Sequence, residues 1–331
     1  MLVVLVVILF MFDLLLGSVT IPVSKVFSAL FDSSANDTSV TIIKDFRLPK
    51  ALTAIVTGAA LSVSGLQMQT VFRNPLAGPY VLGISAGASL GVALFVMGFA
   101  SVFALGIFSS AGAWSIALVA WLGAFAVMLL VLYVSTKVND IMTILILGIL
   151  FTAATGAIVS ILQYFSNESM LKAFIVWTMG SLGSVTKSQL TVLMPAVLAG
   201  ILLAFLKLKA LNAFLLGEDY ARSLGVNIRR GRLVVFLSTS LLAGTITAFC
   251  GPIGFIGIAV PHIARVFFRT ANHSVLLPAV ILIGSAVMLL SDIVSQLPGM
   301  QTTLPINSVT ALIGIPVIVW MIIKNKRFSS V

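Results

Sequence analysis

Apolar positions in this chain come in long runs, and the polar positions gather in clusters between them. No Asp, Glu, Lys or Arg lies between Arg73 and Lys137. Other uncharged stretches run from Ile141 to Asn167, Leu233 to Ala264 and Thr270 to Ser291. Each is long enough for at least one helical crossing of a hydrocarbon core, which takes about 20 residues. The alternating segments of roughly ten residues that build a transmembrane barrel are not seen. The pattern predicts an all-α polytopic membrane protein with about ten transmembrane helices, a single transmembrane domain over residues 1–331.

Taken in order, the expected spans cover residues 1–17, 47–71, 81–98, 114–135, 141–163, 190–206 and 233–249. A short eighth helix around Pro261 and spans over 275–294 and 306–323 follow. The first has no basic start and no small-residue cleavage site, so it reads as a retained helix; it is short for a span, which suggests a few preceding cytosolic residues. Its one acid, Asp13, is expected toward the outer end, within reach of water. Residues 18–45 form a polar loop, least structured at 33–37. The second span carries Gly58, Ala59, Ala60, Ser62, Ser64 and Gly65, the small residues that let helices approach closely in lipid. Asn74-Pro-Leu-Ala-Gly-Pro79 ends it, because neither proline donates a backbone hydrogen bond. Residues 166–189 read as an outer-surface segment with one short amphipathic helix. Gly251-Pro-Ile-Gly-Phe-Ile-Gly257 is a second breaker, followed by Pro261 in a first helical turn.

The least membrane-like stretch is Lys207 to Arg232, which holds six of the nineteen basic residues and two of the nine acidic ones. Within it, Gly217 and Gly225 bracket a short helix, Glu218 to Leu224. Glu218 and Arg222 have the spacing of a stabilising pair, Tyr220 and Leu224 share another face, and Gly225 suits a left-handed C-cap. A helix of about two turns is marginal alone in water and needs a surface to lie against. Two readings stand on local evidence: a solvated loop held by its own membrane domain, or a docking element for a cytosolic partner.

Composition adds direction. The chain is 60% hydrophobic and 8% charged, with a net charge of +10. Ten spans with both termini inside put thirteen basic residues in the cytoplasm and six outside (Lys25, Lys44, Arg47, Lys50, Lys172 and Lys187). That asymmetry favours an N-in, C-in topology with the polar stretch in the cytosol, and it explains the charge better than a nucleic-acid partner does. The lone cysteine, Cys250, forms no intrachain disulfide and reads as a small filler at a membrane end. Arg47 and Arg232 each precede an apolar run and a Gly/Pro break, a faint sign of inverted halves.

Chemistry is sparse. The sequence has no GxxxxGK[ST] phosphate loop, so ATP hydrolysis is not expected in this chain. Its two histidines, His262 and His273, have no Cys or second His companion, and no metal or cofactor is expected. No nucleophile–base–acid set stands out, which makes a membrane enzyme remote. Asp292 is the strongest acid candidate in spans two to ten, expected as a packing or capping residue. The lack of intramembrane charge pairs argues against a self-sufficient secondary transporter or channel. The reading that survives is a pore energised from outside itself.

At this point the motifs resemble a known family, the FecCD-like permease subunits of type II ABC importers for iron–siderophores, haem and cobalamin. The resemblance runs from Arg47 to Pro316. It rests on Arg47-Leu-Pro-Lys50, Gly58-Ala-Ala-Leu61, Asn74-Pro-Leu-Ala77 and Leu82-Gly-Ile-Ser85. It continues through Gly217-Glu-Asp-Tyr-Ala-Arg-Ser-Leu-Gly225, Ile253-Gly-Phe-Ile-Gly257, Pro261-His262 with Arg265, Leu304-Pro-Ile306 and Val309-Thr-Ala-Leu-Ile-Gly314. It implies a ten-helix subunit in a bacterial cytoplasmic membrane, paired with a second permease (a homodimer or a similar partner). Two cytosolic ABC ATPases and an extracytoplasmic binding protein complete the assembly. It implies that Glu218, Asp219, Tyr220, Ala221, Arg222, Ser223, Leu224, Gly225 and Val226 couple to the ATPase. Arg47 and Lys50 would meet acidic residues of the binding protein, and Asn139, Asp140, Ile141 and Met142 would match the inner gate. Two departures matter: Lys50 stands where Arg is usual, keeping charge but losing the bidentate fork, and Gln296 stands where some members carry a base. The cargo would be an iron chelate, with cobalamin as the alternative.

Overall fold

The computed structural model describes residues 1–17, 21–26, 38–98, 113–138, 140–296 and 303–324. The loop around 33–37, Asn139 and the basic residues after Lys324 lie outside them. The principal helices are α1 (Leu2–Leu15), α2 (Leu48–Val71), α3 (Ile84–Ala93), α4 (Ala113–Lys137), α5 (Ile141–Phe165), α6 (Glu168–Thr178) and α7 (Lys187–Leu206). Then come α8 (Leu208–Phe214), α9 (Glu218–Ser223), α10 (Ile228–Cys250), α11 (Ile256–Phe268), α12 (His273–Ser295) and α13 (Ile306–Lys324). No strand occurs among the described residues. Among the described residues, seven helical segments are long and apolar enough to cross a membrane, and three shorter apolar helices (Leu2–Leu15, Ile84–Gly98 and Ile256–Phe268) fall where the remaining spans were expected.

Helix α2 is the hub. It packs on α1, α7, α8, α10, α11 and α12, and residues 57 to 71 are buried without a break. Lipid offers no hydrophobic drive between helices, so close backbone approach and polar pairs must hold them together. The small residues of α2 supply the approach. A Cβ on Gly58 would fall on the Gly284 carbonyl of α12, and one on Gly65 would fall on the Gly257 carbonyl of α11. The same device joins α3 to α4, where Gly87 and Gly123 each leave no room for a side chain against the other's backbone neighbourhood.

Polar contacts add to this at the far half of α2. Gln67 donates to Ser238 Oγ at 3.0 Å and accepts from Thr239 Oγ1 at 3.0 Å, tying α2 to α10. Gln69 donates to the Ile258 carbonyl at 3.1 Å and accepts from Arg265, tying α2 to α11. Thr70 Oγ1 lies 2.8 Å from His273 Nε2, whose Nδ1 lies 2.9 Å from Asn212 Oδ1 on α8. His273 is thus a fully buried link between α2, α8 and α12. His262 instead sets its ring edge against Trp320 of α13 at 6.5 Å between centroids.

The start of α2 differs from the expectation of a helix opening at Arg47. Helix begins at Thr38 and passes through a wide π turn, Ile42–Arg47, before α2. Pro49 explains the turn. It has no N–H and its ring crowds the carbonyl four residues earlier, so the ladder widens to the Leu48 N–H to Ile43 carbonyl bond before it resumes. The first breaker behaves as the sequence suggests: Asn74 Oδ1 accepts from the Leu76 N–H at 2.9 Å, and Gly83 takes φ +77 ahead of α3. At the second, Phe255 holds φ +66, an uncommon conformation for an aromatic residue. Its Cβ occupies the space a side chain on Gly314 would need. Cys250 is buried at the last turn of α10, as the filler reading expects.

These contacts make a contrast between two glycines measurable. Gly65→Ala drives a methyl into the Gly257 backbone and is expected to cost about 1–3 kcal/mol, whereas Gly156→Ala on α5 meets nothing within 4 Å and should be neutral or stabilising by up to about 1 kcal/mol. Thermal unfolding in detergent of the two variants checks this; equal midpoints would refute the close-approach account.

Candidate functional sites at the two ends of the bundle

At the end where α2 begins, charged side chains from three helices converge. Lys50 Nζ of α2 pairs with Asp292 Oδ1 of α12 at 3.0 Å. Gln296 Nε2 donates to Asp292 Oδ2 at 2.9 Å and to Asp13 Oδ1 of α1 at 3.1 Å. Ser295 Oγ adds a bond to Asp292 Oδ1 at 3.3 Å. Arg47 donates to the Leu14 and Leu15 carbonyls at 2.8 and 2.9 Å. These are among the carbonyls that a helix end leaves without partners, and a cation there also opposes the helix dipole. Asp13 and Asp292 are 3% and 1% exposed.

Three expectations change here. Asp13 is not open to water but enclosed, because Gln296 and the α12 end cover it. Asp292 is neither a cap nor a packing residue but the partner of Lys50. Gln296, noted in the sequence as a missing base, bridges both acids. No sequence spacing could announce this cluster, since Gln296 meets Asp13 across 283 positions of the chain. A cavity of about 620 Å³ opens beside it, lined by Asp45, Phe46, Arg47, Lys50, Asp292 and Gln296 and by the 179–183 and 303–306 segments. The Gly180 turn (φ +72) and the Ser181 N–H bonded to the Cys250 carbonyl at 2.8 Å bring the first segment there. The short helix expected in 166–189 is α6, capped by the Asn167 side chain.

The opposite end carries the polar stretch. Its first part is not a solvated loop: α8 is helical, with Leu211 and Phe214 buried and Phe214 packed beneath Gly231. Helix α9 then runs Glu218–Ser223 from Gly217 (φ +100). It ends in a Schellman arrangement. The Val226 N–H bonds to the Ala221 carbonyl and the Gly225 N–H to the Arg222 carbonyl, both at 3.0 Å, with Gly225 at φ +78. Ala221 is fully buried and anchors the helix. Tyr220 and Leu224, both on the outer face, are 52% and 59% exposed.

The sequence pairing of Glu218 with Arg222 is not the one formed. Glu218 Oε1 accepts from Arg232 Nε at 2.8 Å and from its Nη2, while Arg222 lies 3.8 Å from Asp219. The tertiary pair wins because Arg232 is 5% exposed and needs a carboxylate, whereas Arg222 and Asp219 stand in solvent. Across a cavity of about 340 Å³ lies the α4–α5 turn. There Asp140 caps α5, accepting from the Thr143 N–H at 2.9 Å, Thr143 Oγ1 at 2.7 Å and the Met142 N–H at 3.2 Å. Those bonds, the Thr143 hydroxyl first, hold the Asp140 carboxyl below its usual range, with a smaller pull from Arg232. Ile141 is half-buried and Met142 exposed. Among the described residues, no group of three or more His, Cys, Asp or Glu is placed to hold a metal ion.

Residues 5–324 match the model of the FecCD transport family. The chain is 36% identical over 320 residues to the hemin transport system permease protein HmuU of Yersinia pestis, covering 96% of this chain and 94% of that one. It is 35% identical over 281 residues to the vitamin B12 import system permease protein BtuC of Salmonella typhi, covering 85% and 83%. A solved structure described as a metal-chelate type ABC transporter in an inward-facing conformation matches with a TM-score of 0.83 at 30% identity, covering 98% of this chain and 97% of its own.

The Lys50–Asp292 pair yields a test of its own. Lys50→Met leaves the enclosed Asp292 without its paired cation and is expected to cost about 2–4 kcal/mol. Lys50→Met with Asp292→Leu should recover most of that loss. A double-mutant cycle on thermal midpoints measures the coupling, and strictly additive costs would refute the pair.

Proposed function

The chain belongs to the FecCD transport family, and from that premise we propose that it is the membrane-spanning permease of a type II ABC importer whose cargo is an iron chelate, haem or a siderophore complex. Cobalamin is the second reading, supported by the vitamin B12 relative at nearly the same identity as the hemin one. The one observation that carries the coupling role is the outer face of α9. It is locked from behind by Ala221, Arg232 and the Gly225 turn, and it presents Tyr220, Leu224, Asp219 and Arg222 to the medium. An apolar pair framed by two opposite charges, on a fixed helix, is what a groove in a partner protein recognises.

In this reading the chain makes ten crossings with both termini in the cytoplasm. Residues Glu218 to Val226 enter a cytosolic ATPase, one under each of two permeases. Helices α5 and α13 are the least enclosed of the long apolar ones. They leave surface for a second copy, and the path for the chelate runs between the two. The α4–α5 turn, Asp140 to Met142, narrows that path on the cytosolic side; Asn139 lies outside the described residues. The extracytoplasmic binding protein docks over the 620 Å³ cavity. Lys50, still 17% exposed, offers it a charge, while Arg47, held by the α1 carbonyls, contributes positive potential. Hydrolysis of ATP belongs to the partner ATPase.

Reversing Asp219 and Arg222 together tests this, because both are exposed and neither supports the Glu218–Arg232 pair. The double variant is expected to keep its elution profile in detergent but to lose ATPase co-purification and binding-protein-dependent uptake into proteoliposomes. Normal co-purification and uptake would sink the docking role, and uptake by vesicles holding this chain alone would sink the importer reading.

A further inference from the structure

The start of α10 carries Arg229 and Arg232, three residues apart and therefore on one face of the helix. They reach different elements. Arg232 is held among buried groups and grips Glu218, the first residue of α9. Arg229 Nη2 donates to the Thr136 carbonyl, in the last turn of α4, at 2.6 Å. The Arg232 charge also acts on Asp140, whose carboxylate caps α5. The 340 Å³ cavity lies between α9 and the α4–α5 turn; Asp140 and Ile141 line it from the turn, Leu216 to Tyr220 from the α9 side, and Arg73, whose Nη1 lies close to Gly217, completes it. The two elements therefore face each other across a gap and are joined around it by a single turn of α10.

We infer that Arg232 and Arg229 are positioning residues that carry displacement of α9 to the turn ahead of α5. The inference rests on the reading of α9 as the ATPase dock. Two features suit the pair to that work. The planar guanidinium binds Glu218 through Nε and Nη2 at once, so α9 cannot slide without turning Arg232 with it. Behind its first turn, α10 is enclosed along most of its length, so a push at residue 232 moves the turn as a unit rather than bending a loose strand of chain. Arg229, three residues away on the same helix, then pulls on the end of α4 through the Thr136 carbonyl, and with it on the turn that follows. Neither arginine lies in the Glu218–Val226 segment that meets the ATPase.

The test uses the full complex with its ATPase and a reporter thiol at Met142→Cys; Cys250, buried, stays silent toward a charged maleimide. In the otherwise unaltered chain, labelling at position 142 should change when nucleotide is added. Arg229→Gln should keep ATPase co-purification, lose the nucleotide dependence of labelling and reduce transport by roughly twofold to thirtyfold. Arg229→Lys, which keeps a donor, should restore part of both. Retained nucleotide-dependent labelling with normal transport in Arg229→Gln would overturn the relay and leave docking intact. Failure of the unaltered chain to hold the ATPase would overturn docking and the relay with it. Because Arg229 is exposed, the variant does not depend on surviving the loss of a buried charge.

Discussion

The structure depends on how closely other helices can approach α2. In a bilayer the apolar faces of helices gain nothing by leaving lipid for one another, so association relies on dispersion at short range and on polar pairs. Gly58 and Gly65 bring α12 and α11 to backbone distance, where many weak contacts add up. Those crossings set the positions from which Gln67, Gln69 and Thr70 meet Ser238, Arg265 and His273. A wider crossing would leave these groups unpaired in a medium without water, at a cost of order 1–3 kcal/mol each. Packing and polar satisfaction are thus one constraint.

The same geometry fixes the charges at the two ends. Where α2 begins, α12 lies against it and α1 packs on α12, so that Asp13 and Asp292 become enclosed near Lys50. Two acids near one lysine tolerate burial because Gln296 donates to both and Ser295 to one. At the other end, Arg232, in the second turn of α10, is enclosed by its neighbours and pairs with the carboxylate of Glu218. Helix α9 is thereby fixed with its apolar pair outward. One set of crossings accounts for an enclosed charge cluster at one end and a presented helix at the other.

Much of this was legible beforehand because it is local. Long apolar runs marked the helices, Asn-Pro and Gly-Pro clusters marked the breaks, and Gly217 and Gly225 marked both ends of α9 with its exposed Tyr220 and Leu224. The motifs spread from Arg47 to Gly314 pointed to the family that residues 5–324 match. The misreadings share a cause. Asp13 was expected in water, Asp292 in a packing role, and Glu218 with Arg222 as its partner. Each depends on which helix lies beside which, and i,i+4 spacing holds no information about a residue 14 or 283 positions away. The wide turn before α2 lay between these cases. Pro49 signalled a disturbed ladder, but only the built helix shows that it continues through the disturbance.

By itself the sequence determined that this chain is a helical membrane protein, where its helices break, and that a short capped helix stands in its most polar stretch. Those features follow from hydrogen-bonding and solvation rules that act over a few residues. Tertiary structure decided which charges neutralise one another, which face of α9 is presented, and that Arg232 and Arg229 tie α9 and the last turn of α4 to the start of α10. Charge pairing in a low-dielectric interior depends on distance through space, and helix crossings, not chain separation, set that distance.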